Sequence, residues 1–259
     1  MKKKALSILL VTMLVTLAHA ADPHAAGHGA HAGSKAAHWG YSGHGGASHW
    51  GDMQSEFATC KLGKEQSPID IRGAAKAELP AIGFGYTAGN AEVVNNGHTI
   101  QVNLAAGGTV KLASGDYKLL QFHFHTPSEE KIRGKAYPLV AHMVHRNDEG
   151  KLAVVAVLFK QGKENAMLSK VFAAMPAKAE EKAELPGGLN PADLLPAQTG
   201  YYAYIGSLTT PPCSEGVRWQ VLKQPVEMSK AQIAAFRKLY PMNARPVQPV
   251  NGRSVQESL

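Results

Sequence analysis

The stretch Leu119–Glu130, LLQFHFHTPSEE, decides how this chain is read. Leu119, Leu120, Phe122 and Phe124 make an apolar, aromatic-rich run, which predicts a strand. His123 and His125 are two residues apart, so on a strand they project from one face. Two imidazoles side by side in an apolar setting are costly unless something satisfies them. A metal ion would do so, and so would hydrogen bonds to nearby backbone. The H-x-H spacing alone does not choose between these.

The first twenty residues read as an address and not as part of the fold. Met1-Lys2-Lys3-Lys4 is a basic start, Ala5 to Leu17 is apolar, and Ala18-His19-Ala20 offers small residues for cleavage after Ala20. This predicts a secretory signal peptide over residues 1–20. The apolar stretch is too short for a membrane span, and no later segment reaches the length one needs. No cysteine follows the cleavage site, so a lipid anchor is not expected. The mature protein should be exported, with the periplasm the expected compartment.

Removing the signal takes three of the 27 basic residues and no acid, leaving 24 against 20, a net +4. No basic run is interleaved with aromatics in the manner of a nucleic-acid surface. Cys60 and Cys213 are the only cysteines. In an oxidising compartment they are expected to form one disulfide, two free thiols being the alternative.

Residues 21–37 are mostly Ala, Gly and His, with His24, His28 and His31, and lack the large apolar side chains that offset ordering entropy. A flexible segment is expected, with weak metal scavenging as one reading of its histidines. Residues 38–259 read as a single domain. Short β-rich runs punctuated by Gly, Asn, Asp and Pro are predicted at 100–104, 110–112, 119–125, 139–145, 152–159, 201–205 and 217–222. Helices are predicted at 165–175 and 229–239, with Ser229 as the N-cap of the second. The fold class is mainly β (α+β), with a few peripheral helices.

Several blocks now converge. QFHFH (121–125), AHMVH (141–145) and GSLTTPPCSE (206–215) resemble the α-class carbonic anhydrases. So do HWGYSG (38–43), QSPIDI (66–71), NNGH (95–98) and WQVLKQPV (219–226). The match runs in order through the whole mature domain, and the signal and single cysteine pair are similar to the bacterial, exported branch. The resemblance implies a central twisted, mostly antiparallel sheet of about ten strands. An active-site cone would have one Zn²⁺ at its floor.

The same resemblance assigns the zinc ligands to His123, His125 and His142. Spacing alone would not choose His142 over His145, since the two lie on opposite faces of one strand. The implied activity is reversible hydration of carbon dioxide to bicarbonate and a proton. Zinc-bound hydroxide, available at neutral pH in this established enzyme class, attacks the carbon, and a histidine passes the proton on. Thr209 and Glu129 match the pair that aims the hydroxide. Val144, Val154, Leu208, Val217 and Trp219 match the apolar substrate wall, and Thr210 should touch bicarbonate. His98 matches the proton shuttle, with Tyr41, Asn96 and Gln101 along the water path. Gln121 matches the outer partner of His123, and a backbone carbonyl is expected for His125.

One position departs from the pattern. The family normally places a glutamate two residues before the third ligand, and this chain has Val140. Glu130 is a candidate substitute, but nothing in the sequence places it there. The expectation is an active enzyme whose zinc is weakened or exchanges faster. The alternative class is a non-catalytic zinc-binding or zinc-buffering exported protein. A weak esterase side activity is chemically compatible, and the sequence leaves a homodimer open.

Overall fold

The structure is a computed structural model describing residues 38–185 and 187–259. The expected signal peptide and the 21–37 segment lie outside the described residues. Seven strands and two helices position the site: β1 (Ala91–Asn95), β2 (Ile100–Leu104), β3 (Gly115–His125), β4 (Leu139–Arg146), β5 (Leu152–Gln161), α1 (Ala166–Ala173), β6 (Tyr201–Ser207), β7 (Glu215–Leu222) and α2 (Lys230–Leu239).

One large sheet carries them. Its continuous path runs Lys182–Glu184, β1, β2, β3, β4, β5, β7, β6, Gln256–Ser258, Ala75–Ala77. These ten strands match the sequence expectation. Gly83–Tyr86, Gly108–Leu112 and Val226–Met228 attach beside the path and bring the sheet to 13 strands. Most pairs are antiparallel. The parallel ones are β5 with β7, β5 with Val226–Met228, and Gln256–Ser258 with Ala75–Ala77.

The register builds the site. His123 stands opposite His142, and Gln101 opposite His123, so β2, β3 and β4 present these side chains in one row. On either side of that row Gln121 pairs with Val144, and His125 with Val140. The row continues through Ala156 and Val221. One face therefore turns from polar at β2–β3 to apolar at β5–β7. The opposite face carries Phe122, Phe124, Ala141 and Met143 into the larger hydrophobic core, against Leu168 and Val171 of α1 and Ile233 and Phe236 of α2. Both faces of the central strands are thus buried, which is why β4 and β5 read as nearly continuous apolar runs.

A bulge corrects the simplest reading of β3. Alternation alone would put Leu119 on the face of His123. The register shifts between Leu119 and Gln121, so Leu119 pairs with His145 and joins the larger core. The extra residue, Leu120, reverses the parity on one side of the shift.

The helices end where their caps predict. The Asn165 side chain accepts from Leu168 N, and Ser229 forms a capping box with Gln232. Gln232 then reaches across to the backbone of Asn165, tying the two helix starts together.

Cys60 and Cys213 form a disulfide with Cα atoms 5.0 Å apart, closing a separation of 153 residues. It packs with Trp50 in a third hydrophobic cluster, against Trp39 and Tyr41. The segment that opens the domain is thereby fixed to the loop carrying Thr209 and Thr210. Loop-closure entropy alone would make this cross-link worth up to about 5 kcal/mol. Reduction, or paired Cys60→Ser and Cys213→Ser substitution, should lower the urea midpoint accordingly. Identical midpoints for oxidised and reduced protein would show the cross-link to be energetically silent.

Candidate metal centre

His123, His125 and His142 each offer one ring nitrogen to a cluster whose ligand atoms all lie within 4.8 Å of one another. Strand pairing explains this: β3 supplies two imidazoles from one face, and β4 supplies the third from the adjacent register position. His145 is on the other face, where its Nε2 lies 2.8 Å from the Tyr86 hydroxyl. Burial pushes His145 down to about 4, so it is a neutral core imidazole.

Each of the three clustered histidines commits its other nitrogen elsewhere. His123 Nδ1 lies 2.9 Å from Gln121 Oε1, and His125 Nδ1 lies 2.7 Å from the Asn243 carbonyl. His142 Nε2 lies 2.9 Å from Glu130 Oε1. Since Gln121, Asn243 and Glu130 accept through oxygen, the histidines donate. The nitrogens left to face one another are Nε2, Nε2 and Nδ1. Such outer acceptors fix tautomer and ring orientation. The acceptor that Val140 cannot be lies in the loop: Glu130, the candidate substitute, sits against His142 Nε2.

Burial is the leading influence on all three rings. It lowers His123 to about 3 and His125 well below the ordinary range, with the charge of His142 reinforcing both. For His142 burial also acts downward, but the charge and hydrogen bond of Glu130, together with the charge of Glu129, outweigh it and the net shift is upward. His125 Nε2 is buried without a hydrogen-bond partner. Three converging imidazole nitrogens, one of them buried without a partner, fit a divalent ion that accepts three nitrogen ligands. Deep burial without such an ion would be costly.

Glu129 lies beside this cluster and is 1% exposed. Its Oε2 is 3.4 Å from His125 Nε2 and 3.7 Å from His142 Nδ1. Burial pushes its carboxyl up to about 7, against the opposing charge of His142. The Thr209 hydroxyl and the Arg245 backbone N–H also hold it down. The Arg245 N–H donates to Glu129 Oε1 at 2.7 Å.

A cleft opens above the histidines. Trp39, Tyr41, Asn96, His98, Thr99, Gln101, Gln121 and Thr210 line it with His123 and His125. Asn95-Asn96-Gly97-His98 is a turn in which Asn96 Oδ1 accepts from the N–H groups of His98 and Thr99, and Gly97 takes φ +81°. Asn96 is thus committed to the turn, its amide reaching Gln101 at 3.4 Å. The His98 ring stacks flat on Trp39, with centroids 3.6 Å apart, and faces His38 at 5.0 Å. Burial and the charge of His38 lower it to about 4.

The apolar wall adjoins the cluster. Val144, Val154, Val217 and Trp219 are buried in the second hydrophobic cluster, and Leu208 packs against it. The Trp219 ring meets His142 edge-on at 4.9 Å.

Sequence reasoning missed Asn243 and Arg245. Besides serving His125, Asn243 donates to the carbonyls of Phe124 and His98 and accepts from Thr126 N–H. The Arg245 guanidinium donates to Gln66 Oε1, Ser67 O and Cys60 O. Both sit in an irregular, Pro-flanked segment, where no periodicity marks a buried residue. Arg245→Met should destabilise the protein by about 3 kcal/mol, because three buried acceptors lose their donor and Glu129 loses a nearby positive charge while keeping the backbone N–H. Denaturant titration of both proteins checks this, and a loss below about 1 kcal/mol would contradict it.

Comparisons with known proteins agree with this geometry. Residues 45–259 match the family model described as eukaryotic-type carbonic anhydrase. A carbonic anhydrase of Neisseria gonorrhoeae is 45% identical over 235 residues, covering 90% of this chain and 91% of that protein. One from Pectobacterium carotovorum is 43% identical over 219 residues, covering 84% and 90%. Among solved structures, the α-carbonic anhydrase of Thermovibrio ammonificans in complex with the inhibitor sulfanilamide is 51% identical. It superposes with a TM-score of 0.83, over 85% of this chain and 99% of that one. A three-histidine cluster, a sheet of this topology and sequence identity along the whole domain coincide in one chain, which belongs to the α-carbonic anhydrase family.

Proposed function

We propose that the chain catalyses the reversible hydration of carbon dioxide to bicarbonate and a proton, with one Zn²⁺ held by His123, His125 and His142. The observation that carries this reading is the convergence of three imidazoles, each with its second nitrogen occupied, beside an apolar wall. Bound there, Zn²⁺ supplies a Lewis acid that brings proton loss from water into the neutral range.

The protein's own groups do the aiming. Thr209 donates its hydroxyl proton to Glu129, so its oxygen can only accept from the nucleophile. That constraint turns a nucleophile lone pair toward the carbon and disfavours ligands with no proton to offer. Val144, Val154, Leu208, Val217 and Trp219 receive the apolar substrate, and Thr210 contacts the anionic product. Gln121 orients His123.

His98 takes the proton through waters ordered by Tyr41, Asn96 and Gln101. An imidazole held near pKa 4 is a poor acceptor, whereas one near its ordinary value matches a neutral-range donor. Turned off Trp39 into the cleft, the ring would regain more of its ordinary basicity, and that orientation is the one proposed to accept the proton.

We also propose that residues 1–20 direct export and are removed, leaving residues 21–259 in the periplasm with residues 38–259 as the catalytic domain. The disulfide supports an oxidising compartment. Among the described residues no helix is long and apolar enough to cross a membrane.

Stopped-flow CO₂ hydration by the mature protein, with zinc measured on the same sample, tests the central reading. Fast hydration at about one zinc per chain is expected. A full metal complement with no hydration would overturn it in favour of a zinc-binding or zinc-buffering protein. Thr209→Val should lower kcat/KM by about 100-fold, as loss of one aimed polar contact does. His98→Ala should lower kcat about 10- to 100-fold in dilute buffer, leave kcat/KM nearly unchanged and recover with added imidazole.

A further inference from the structure

We propose that Glu130 is the positioning residue for His142, a carboxylate brought in by the loop between β3 and β4 to a ligand that its own strand leaves without an acceptor. This inference rests on the zinc reading above and deepens it.

The strand cannot supply the acceptor. Residue 140 shares the face of His142 and stands opposite His125 and Leu158 in register. It is valine, fully buried in the apolar cluster beside the site. Glu130 instead reaches across from the loop, and its Oε1 lies 2.9 Å from His142 Nε2 with neither residue more than 1% exposed. The imidazole proton is held at Nε2, so the Nδ1 lone pair is turned toward His123 and His125.

The loop is built to hold that carboxylate still. Thr126 Oγ1 donates to Pro138 O, and Ser128 N–H donates to Tyr137 O. Ser128 Oγ donates to the Glu130 carbonyl and accepts from Tyr137 N–H. Lys131 N–H donates to Ile69 O, and Lys131–Ile132 pairs with Asp70–Ile71. The backbone on both sides of Glu130 is therefore anchored to other elements. This is more fixing than a solvated loop acid would need.

The two consecutive glutamates thus divide their work. Glu129 faces the Nδ1 side of His142 with the Arg245 N–H behind it, and Glu130 faces the Nε2 side. An acid at position 140 would crowd a third carboxylate into the same buried space.

The test is zinc release and affinity, measured by competitive chelation on wild type, Glu130→Gln, Val140→Glu and the double variant. Thermal unfolding of each metal-free protein separates a folding defect from a site defect. Glu130→Gln should release zinc about 10- to 100-fold faster at little cost to metal-free stability. The double variant should regain most of the lost affinity, because residue 140 reaches the same nitrogen. Val140→Glu alone should gain nothing.

Equal zinc release by wild type and Glu130→Gln would overturn the proposal. So would tighter zinc in the Val140→Glu single variant, which would show His142 to be short of an acceptor. A wild-type protein that holds zinc tightly yet fails to hydrate CO₂ would instead overturn the catalytic reading and leave the positioning role of Glu130 standing.

Discussion

Two adjacent carboxylates withdrawn from water set the terms for everything around them. Glu129 and Glu130 are consecutive and nearly unexposed, and isolated buried anions are among the costliest groups a fold can contain. The Arg245 backbone N–H donates to one, with its guanidinium charge also nearby, and His142 lies between the two. Taken with neutral imidazoles, the set still carries more negative than positive charge. Burial lifts the Glu129 carboxyl, and the charge and hydrogen bond of Glu130 outweigh burial at His142. The proposed Zn²⁺ would complement these carboxylates as well as supply chemistry.

Much of the architecture follows from keeping this floor rigid. A sheet buried on both faces allows one face to be an ordinary core while the other hosts polar chemistry at its centre. The position of His142 on one side of β4 and His145 on the other follows from the period of two. Two residues of one type, three apart, become a member of the histidine cluster facing charge and a neutral ring against Tyr86. The wall opposite the polar strands is apolar because β5 and β7 continue the same rows with Val154, Ala156, Trp219 and Val221. An uncharged substrate and a charged metal site can therefore meet along one surface without either intruding on the other.

What could be read from the sequence was what repeats or caps. Strand positions, the two helices and the cysteine pair depended on periodicity, on Asn165 and Ser229, and on the compartment implied by the leader. The H-x-H pair was visible as a puzzle, and the family resemblance resolved which third histidine joins it. The supporting groups were not visible in this way. Glu130 sits in a polar loop run that reads as solvated, and the loop is pinned in place by hydrogen bonds of Ser128 with Tyr137 and of Lys131 with Ile69. Asn243 and Arg245 are more than a hundred residues from the groups they brace. The bulge at Leu120 was hidden because apolar residues flank it on both sides, so either parity looks plausible until the partner strand is known.

The site also separates what must stay fixed from what must move. The three ligands have every outer hydrogen bond supplied by protein, so their orientations are set before any substrate arrives. His98 is treated differently. Its backbone is locked by Asn96 and by Asn243, yet its ring is held only by stacking against Trp39 and His38. Stacking of this kind contributes roughly 1 kcal/mol, little enough for thermal motion to break. For the proton-carrying role proposed for it, the ring needs positions of comparable energy and different basicity. A turn that fixes the backbone while leaving the ring loosely stacked provides that, and a ring hydrogen-bonded as firmly as His125 could not.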